Sequence, residues 1–413
     1  MSKFNLMGYF ENKPNTNSRS SVLLVLAASA IVLFVRKTDS FLNPQFWAED
    51  GAIFFLQQYE KGASALLQDY AGYLHLVPRL IALVADSFFT YSAIPIVYNF
   101  SSLLFTLIVV ASIFSPRLKI NHKPLLALTI VLVPHYTDEV FLNVANLQWI
   151  LSILLIVVLL KERPHDRYGN INVQYVLDLI IIILCGLTGP FIVFLVPFFI
   201  WKWINDKGLY DSIILIAVIA VSSIQFFFML SELIRVQNGI SFNLNVYSAI
   251  IGHKLFGNLF LTKGIAYKLN HYILSFLYFG TIFMMLRFAP PKRRFIFVCL
   301  GVQFIILLAA FYKFKANPEI LIPPGNGQRY FYIPNIMLVW CLIALLEKKA
   351  KWKNALLLSA LALVLISSLA SGFHSKPFID YNWNSYSKLI GKEDVVIPIN
   401  PKGWHMHIKV LQK

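Results

Sequence analysis

Two carboxylates stand side by side at Glu49-Asp50, inside the run Phe46-Trp47-Ala48-Glu49-Asp50-Gly51. They follow the first apolar stretch, residues 21–35, by a short hop. Tryptophan and phenylalanine flank them, the residues that favour the level of lipid headgroups. A carboxylate close to hydrocarbon loses hydration and is costly to keep there. In one reading the pair solvates a loop or caps the helix that begins near Ala52, because anions favour helix N-termini. In the other, placed first here, it does chemistry, a carboxylate being able to take a proton from a reacting group.

Three further polar clusters punctuate an otherwise apolar chain. The first is Tyr73-Leu74-His75 followed by Pro78-Arg79. The second is Pro134 to Trp149, where Glu139, Asn143 and Asn146 are spaced four and three apart and share one face if the stretch is helical. Amides and a carboxylate on one face suit hydroxyl-rich ligands such as sugars; the competing reading is a capped loop between two short helices. The third is Gln328-Arg329-Tyr330, at the mouth of a late apolar run. A guanidinium offers several donors in a fixed fork and makes a phosphate clamp, or it snorkels to the interface. Arg79 carries the same two readings, while Lys313 and Lys315 read as interface anchors. Near the C-terminus His405 and His407 alternate, but no ligand set has metal spacing, so no metal is expected. No phosphate-cradling glycine loop, nucleotide fingerprint or HExxH motif is present, and no cofactor is expected.

The elements that must hold these clusters are membrane helices. Of 413 residues, 58% are hydrophobic and only 14% charged, against about 25% charged in soluble domains; mean hydropathy is +0.66. The reading is an all-α polytopic integral membrane protein of about 11–13 transmembrane helices, with short amphipathic helices at 52–59 and 62–67 in the first outer loop. The net charge of +16 is spread through short loops, as in topology signals and contacts with anionic lipid, and does not mark a nucleic-acid binder. All three cysteines lie in apolar runs, so no disulfide is expected. Residues 1–19 read as a polar cytoplasmic tail with no cleavable signal, residues 231–271 as a long outer loop, and 372–413 as a small extracytoplasmic tail capping the transmembrane domain 1–371, with Trp404 reaching toward an acceptor. Charge counting requires an odd number of crossings between Lys37 and Arg117, yet two apolar runs, 74–89 and 93–114, lie between them. Gly186 to Pro190 reads as a turn between two short spans or, more sharply, as a break in a transporter helix.

The acidic pair in the first outer loop, the Tyr73 to Arg79 segment, the Glu139 to Trp149 loop and the Gln328-Arg329-Tyr330 entry, in that order, resemble the polytopic glycosyltransferases of the GT-C superfamily. More narrowly, they resemble the serotype-converting O-antigen glucosyltransferases of bacteriophages. The likeness covers the whole chain in layout. It implies a polyprenyl-phosphate sugar donor, a lipid-linked glycan acceptor, glucose as the sugar, and a multi-pass protein of the bacterial inner membrane whose active site faces the periplasm. A flippase and a donor-synthesising transferase would work beside it, and residues 74–89 would cross the membrane, against the charge count.

A lipid phosphate is a fair leaving group, so such an enzyme must mainly deprotonate the acceptor hydroxyl and steady the departing phosphate. Asp50 is expected as the base, with Glu49 as partner or alternative base, and the outcome is inversion. Arg79, Arg329 and Tyr330 are expected on the donor phosphate. Tyr73, His75, Glu139, Asn143, Asn146 and Trp149 are expected on the sugar or acceptor. The rival is a transporter or flippase for a lipid-linked glycan, for which Asp86, Asp178 and the Gly186 break are the candidates. A non-catalytic membrane partner is the third reading.

Overall fold

The computed structural model describes residues 19–137, 139–164, 173–235, 239, 241–289, 293–347, 350–371, 373 and 376–411. The basic tail at 1–18, Asp138, Arg167 and Lys292 lie outside them. The chain is mostly helical. Among the described residues five helices are long and apolar enough to cross a bilayer: Arg19–Arg36, Tyr91–Ser112, Leu209–Leu230, Arg293–Lys313 and Lys351–Ser371.

This falls short of the expected 11–13, and the reason is physical. Five other apolar runs fold as shorter helices, Lys123–Leu132, Leu147–Leu160, Val173–Gly186, His271–Arg287 and Arg329–Ala344. At about 1.5 Å per residue they reach less than the roughly 30 Å of a hydrocarbon core. Leu147–Leu160 is buried at every residue from Leu147 to Leu159, and Arg329–Ala344 from Tyr330 to Ala344. Their apolarity is spent on protein, and hydropathy alone does not separate a core helix from a lipid-facing one. The run at 74–89 forms Leu76–Phe88, thirteen residues and about 20 Å.

The expected outer loop at 231–271 is also largely helical where described, with Leu244–Ile250, a π-helical turn Ile251–Gly257, Asn258–Phe260 and Lys263–Ala266. The first loop holds the expected short helices as Asp50–Phe55, Leu56–Lys61 and Gly62–Leu67, the first of them π-helical.

The chain divides into two compact units, with one of the breaks between Gly372 and Phe373. One comprises Met1–Ile31, Val110–Tyr136 and Ser241–Gly372; the other comprises Val32–Val109, Thr137–Ile240 and Phe373–Lys413. The C-terminal segment therefore belongs with the first loop. In that unit two antiparallel hairpins stand out. Asp69–Tyr70 pairs with Tyr73–Leu74 through a two-residue turn at Ala71 and Gly72, both at positive φ (53° and 82°), as a type I′ turn requires. Val395–Ile399 pairs with Trp404–Ile408, with Ile397 opposite Met406.

In the other unit, Arg293–Lys313 packs on Arg329–Ala344. Trp340 donates its indole N–H to the Leu126 carbonyl (3.0 Å), and the Tyr332 hydroxyl donates to Ile130 O (2.7 Å). These bonds satisfy the polar tips of large buried rings.

Candidate functional site

The C-terminal hairpin builds the seat for the acidic pair. Asn400 N–H donates to Phe46 O (3.1 Å), and Trp47 bridges to Asn400. Phe46 packs edge-on against Trp383 (4.8 Å) and Tyr98 (5.6 Å). A Cβ on Gly51 would meet Met406 Sδ at 2.8 Å and Ile399 Cδ1 at 3.0 Å, so glycine is what lets the hairpin approach this turn. Ala48, just before the pair, has φ +39°, a region an L-residue occupies at a cost.

The capping alternative does not describe the pair. Glu49 occupies the position before the helix but makes no side-chain cap bond. Asp50 looks away from its own helix: Oδ1 accepts from Ala145 N–H (2.8 Å) and Oδ2 from Val144 N–H (3.3 Å). Asp50 is 2% exposed and Glu49 is half-buried. Burial pushes the Asp50 carboxyl up to about 7 against the pull of the Ala145 and Val144 amides and of Lys37, with Glu49 adding a further push. A carboxylate has about four acceptor positions, so two remain after these amides.

From Glu139 to Asn146 the chain is a run of turns and bends, not the helical face its spacing allowed, and Leu147 to Trp149 open the helix Leu147–Leu160. Asn143 donates to Glu139 O (2.6 Å) and accepts from Asn146 N–H (2.9 Å), and Asn146 donates to Glu139 O (2.9 Å). Both amides are buried and hold the loop that in turn holds Asp50. A turn without a backbone ladder satisfies its carbonyls with side chains, and these amides do so here. Glu139 contributes its backbone carbonyl to this network and keeps a half-buried side chain. Trp149 is buried edge-on against Phe191 (4.8 Å).

Arg79, on Leu76–Phe88, is 1% exposed. Its Nη2 donates to Gln57 Oε1 (2.7 Å), and its Cζ lies 5.4 Å from the ring centre of Phe54, on the same turn as Asp50. Among the described residues its Nε and Nη1 have no hydrogen-bond partner. Tyr98 is buried and feels the charges of Asp50, Asp86 and Arg79. His75 is buried against Tyr73 (4.6 Å) and Phe54 (5.4 Å). Burial, aided by the charge of Arg79, lowers it to about 3. It is therefore neutral near pH 7 and does not serve as a cation. Tyr73 accepts from Gln148 Nε2 at 3.4 Å.

Arg329 and Tyr330 lie in the other compact unit. There the Arg329 guanidinium lies 5.5 Å from the Tyr330 ring centre, and Tyr330 packs on Phe314 (5.1 Å). Asp50, Glu49, Arg79, Tyr73, His75, Glu139, Asn143, Asn146 and Trp149 share one unit; Arg329 and Tyr330 do not.

Lys37, Gln57 and Tyr98 were missed. Lys37 is buried, donates to Phe141 O (2.9 Å) and lies 5.1 Å from the Trp47 ring centre. A basic residue closing an apolar run reads as a topology signal, and a tyrosine inside one reads as lipid-facing. Only the neighbouring Trp47 hinted that Lys37 had a ring to stack on. No known family model, no curated protein and no solved structure matches this chain.

Proposed function

We propose that this chain is an inverting membrane glycosyltransferase of the GT-C kind. It would move a sugar, glucose by resemblance, from a polyprenyl phosphate to a glycan acceptor at the outer face of a bacterial inner membrane. The proposal rests on a buried carboxyl that desolvation pushes up to about 7, in the same unit as a buried guanidinium whose Nε and Nη1 have no hydrogen-bond partner among the described residues. General bases work best when their pKa lies near the working pH. Asp69 offsets part of the Arg79 charge, and a ligand phosphate would satisfy the nitrogens that make no bond.

In this reading Asp50 takes the proton of the acceptor hydroxyl as that oxygen bonds to the anomeric carbon. The bond from that carbon to the phosphate oxygen breaks from the opposite side, which inverts the centre. The electron pair leaves on the polyprenyl phosphate, where Arg79 meets the new charge. Lys37 keeps part of the Asp50 population ionised and, through Phe141 O, steadies the loop beneath it. The carboxyl is sealed from solvent, so the turn at 141–146 must shift when substrate arrives. Leu142, at φ +53°, stores strain at that point.

The transporter alternative draws less support. Asp178 is occupied by Lys161 (3.3 Å) and the Tyr210 hydroxyl (2.7 Å). The Gly186 break is a closed turn held by Gln225, which donates to Leu74 O, Gly186 O and Gly189 O.

Membranes containing the chain, supplied with undecaprenyl-phosphate glucose and a polysaccharide acceptor, should release undecaprenyl phosphate and add glucose to the polymer, as read by NMR. Undiminished transfer by both Asp50→Asn and Glu49→Gln would falsify the assignment.

A further inference from the structure

A cavity of about 560 Å³ opens in the unit that holds Asp50, between the turn that ends Leu76–Phe88 and the C-terminal segment. That volume falls within the range of about 300–1,000 Å³ typical of ligand sites. Its lining includes the Asp86 carboxylate, the hydroxyls of Thr90 and Ser92, the Asn384 amide, the Lys388 ammonium and the Phe89 ring.

Its floor is rigid. Trp383 donates its indole N–H to Tyr91 O (3.0 Å) and packs on Phe46 (4.8 Å) and Phe55 (5.9 Å), while Phe55 meets Tyr91 at 5.9 Å. Asp86 is steadied by Gln58 Nε2 on Oδ2 (3.3 Å), and Phe89 stays 47% exposed. These groups both donate and accept, as sugar hydroxyls do. One carboxylate and one ammonium leave no net field for an anion. An exposed ring at the rim offers a flat apolar surface to the face of a pyranose.

We propose that this groove binds a neutral oligosaccharide, namely the acceptor glycan on either side of the sugar that reacts. The word acceptor rests on the transferase reading above; the saccharide binding does not. Asp50 does not line the groove, so the groove holds flanking sugars and not the attacking hydroxyl. Its loss raises the KM for a long acceptor and leaves kcat in place.

The test uses full-length protein in lipid nanodiscs. It is titrated with linear neutral tetrasaccharides of glucose, galactose and rhamnose, and with a uronic-acid tetrasaccharide as charged control, read by saturation-transfer NMR and calorimetry. A neutral tetrasaccharide binds the wild type and Asp50→Asn alike. Phe89→Ala and Asn384→Ala, both at exposed positions, weaken it about tenfold while melting like the wild type. Binding by no neutral saccharide, preference for the uronic acid, or wild-type affinity in both groove variants overturns the proposal. Saccharide binding that follows the groove, with no consumption of undecaprenyl-phosphate glucose by the wild type, leaves the groove standing and sinks the transferase reading.

Discussion

Two buried cations, one in each compact unit, show how the same burial serves different ends. Lys254 is 0% exposed and donates to three backbone carbonyls, Pro323 O (2.6 Å), Pro324 O (3.1 Å) and Asn326 O (2.9 Å). An ammonium has three N–H donors, so these acceptors match its capacity, and the lysine ties a proline-glycine turn to its helix. Arg79 is buried as deeply, yet only Nη2 has a partner, Gln57, and Nε and Nη1 have none among the described residues. A saturated buried charge is a piece of scaffold. An unsaturated one costs folding energy that selection tolerates where a ligand supplies the missing acceptor.

The contrast can be broken first at the buried carboxyl of Asp50, in the same unit as Arg79. Asp50→Asn keeps the shape and one of the two bonds from the loop amides, so the fold should hold at a cost of about 1 kcal/mol while transfer, measured as glucose incorporation in membranes, falls about a hundred- to ten-thousandfold. Arg79→Met should lower transfer about a hundredfold or more. Because the charge it removes is desolvated and only partly offset by Asp69, it should leave the melting temperature unchanged or raised. Lys254→Met should do the opposite, losing roughly 3 kcal/mol of stability as three carbonyls lose their donor, with kcat per folded molecule unaffected. If both cations behaved alike in melting and in transfer, the distinction between scaffold and site would be gone.

Two titrations with opposite signs sharpen it further. The Asp50 carboxyl sits at about 7 in the folded chain against 3.8 in its absence. Its contribution to stability is present below about pH 4 and drains away as pH rises to about 7, while transfer rises over the approach to 7 as the base form appears. Asp50→Asn should flatten that slope. His75, lowered from 6.5 to about 3, stabilises above pH 6.5 and loses its contribution as pH falls from there to 3. His75→Gln should therefore resist acid better than the wild type, by chemical denaturation at stepped pH. The smallest effect is expected at Ala71→Gly, which relieves a non-glycine left-handed residue (φ 53°) and should gain about 0.5 kcal/mol, the relief being partly offset by backbone entropy.

The acidic pair, the helical class, the turn at Gly186 to Pro190 and the short helices after Gly51 were legible in the sequence because each is a local property of residue type and spacing. The number of long apolar helices was not. Leu147–Leu160 and Arg329–Ala344 have the composition of spans but spend it on neighbouring protein. Nor was the fate of Asn143 and Asn146 visible, since an amide that feeds its own loop and one that waits for a sugar have the same letters.

From the chain alone came the chemical vocabulary: a carboxylate pair framed by aromatics, an arginine after a proline, and apolar runs long enough to need burial. Tertiary structure alone decided which members of that vocabulary meet. It set Asp50 against the Val144 and Ala145 amides, ninety-four and ninety-five residues on, seated the C-terminal hairpin on Gly51, and put Arg329 in the other unit. Desolvation and unmet hydrogen bonds, the quantities that turn a carboxyl into a base and a guanidinium into a phosphate seat, are sums over neighbours distant in sequence, and spacing along one strand of chain does not contain them.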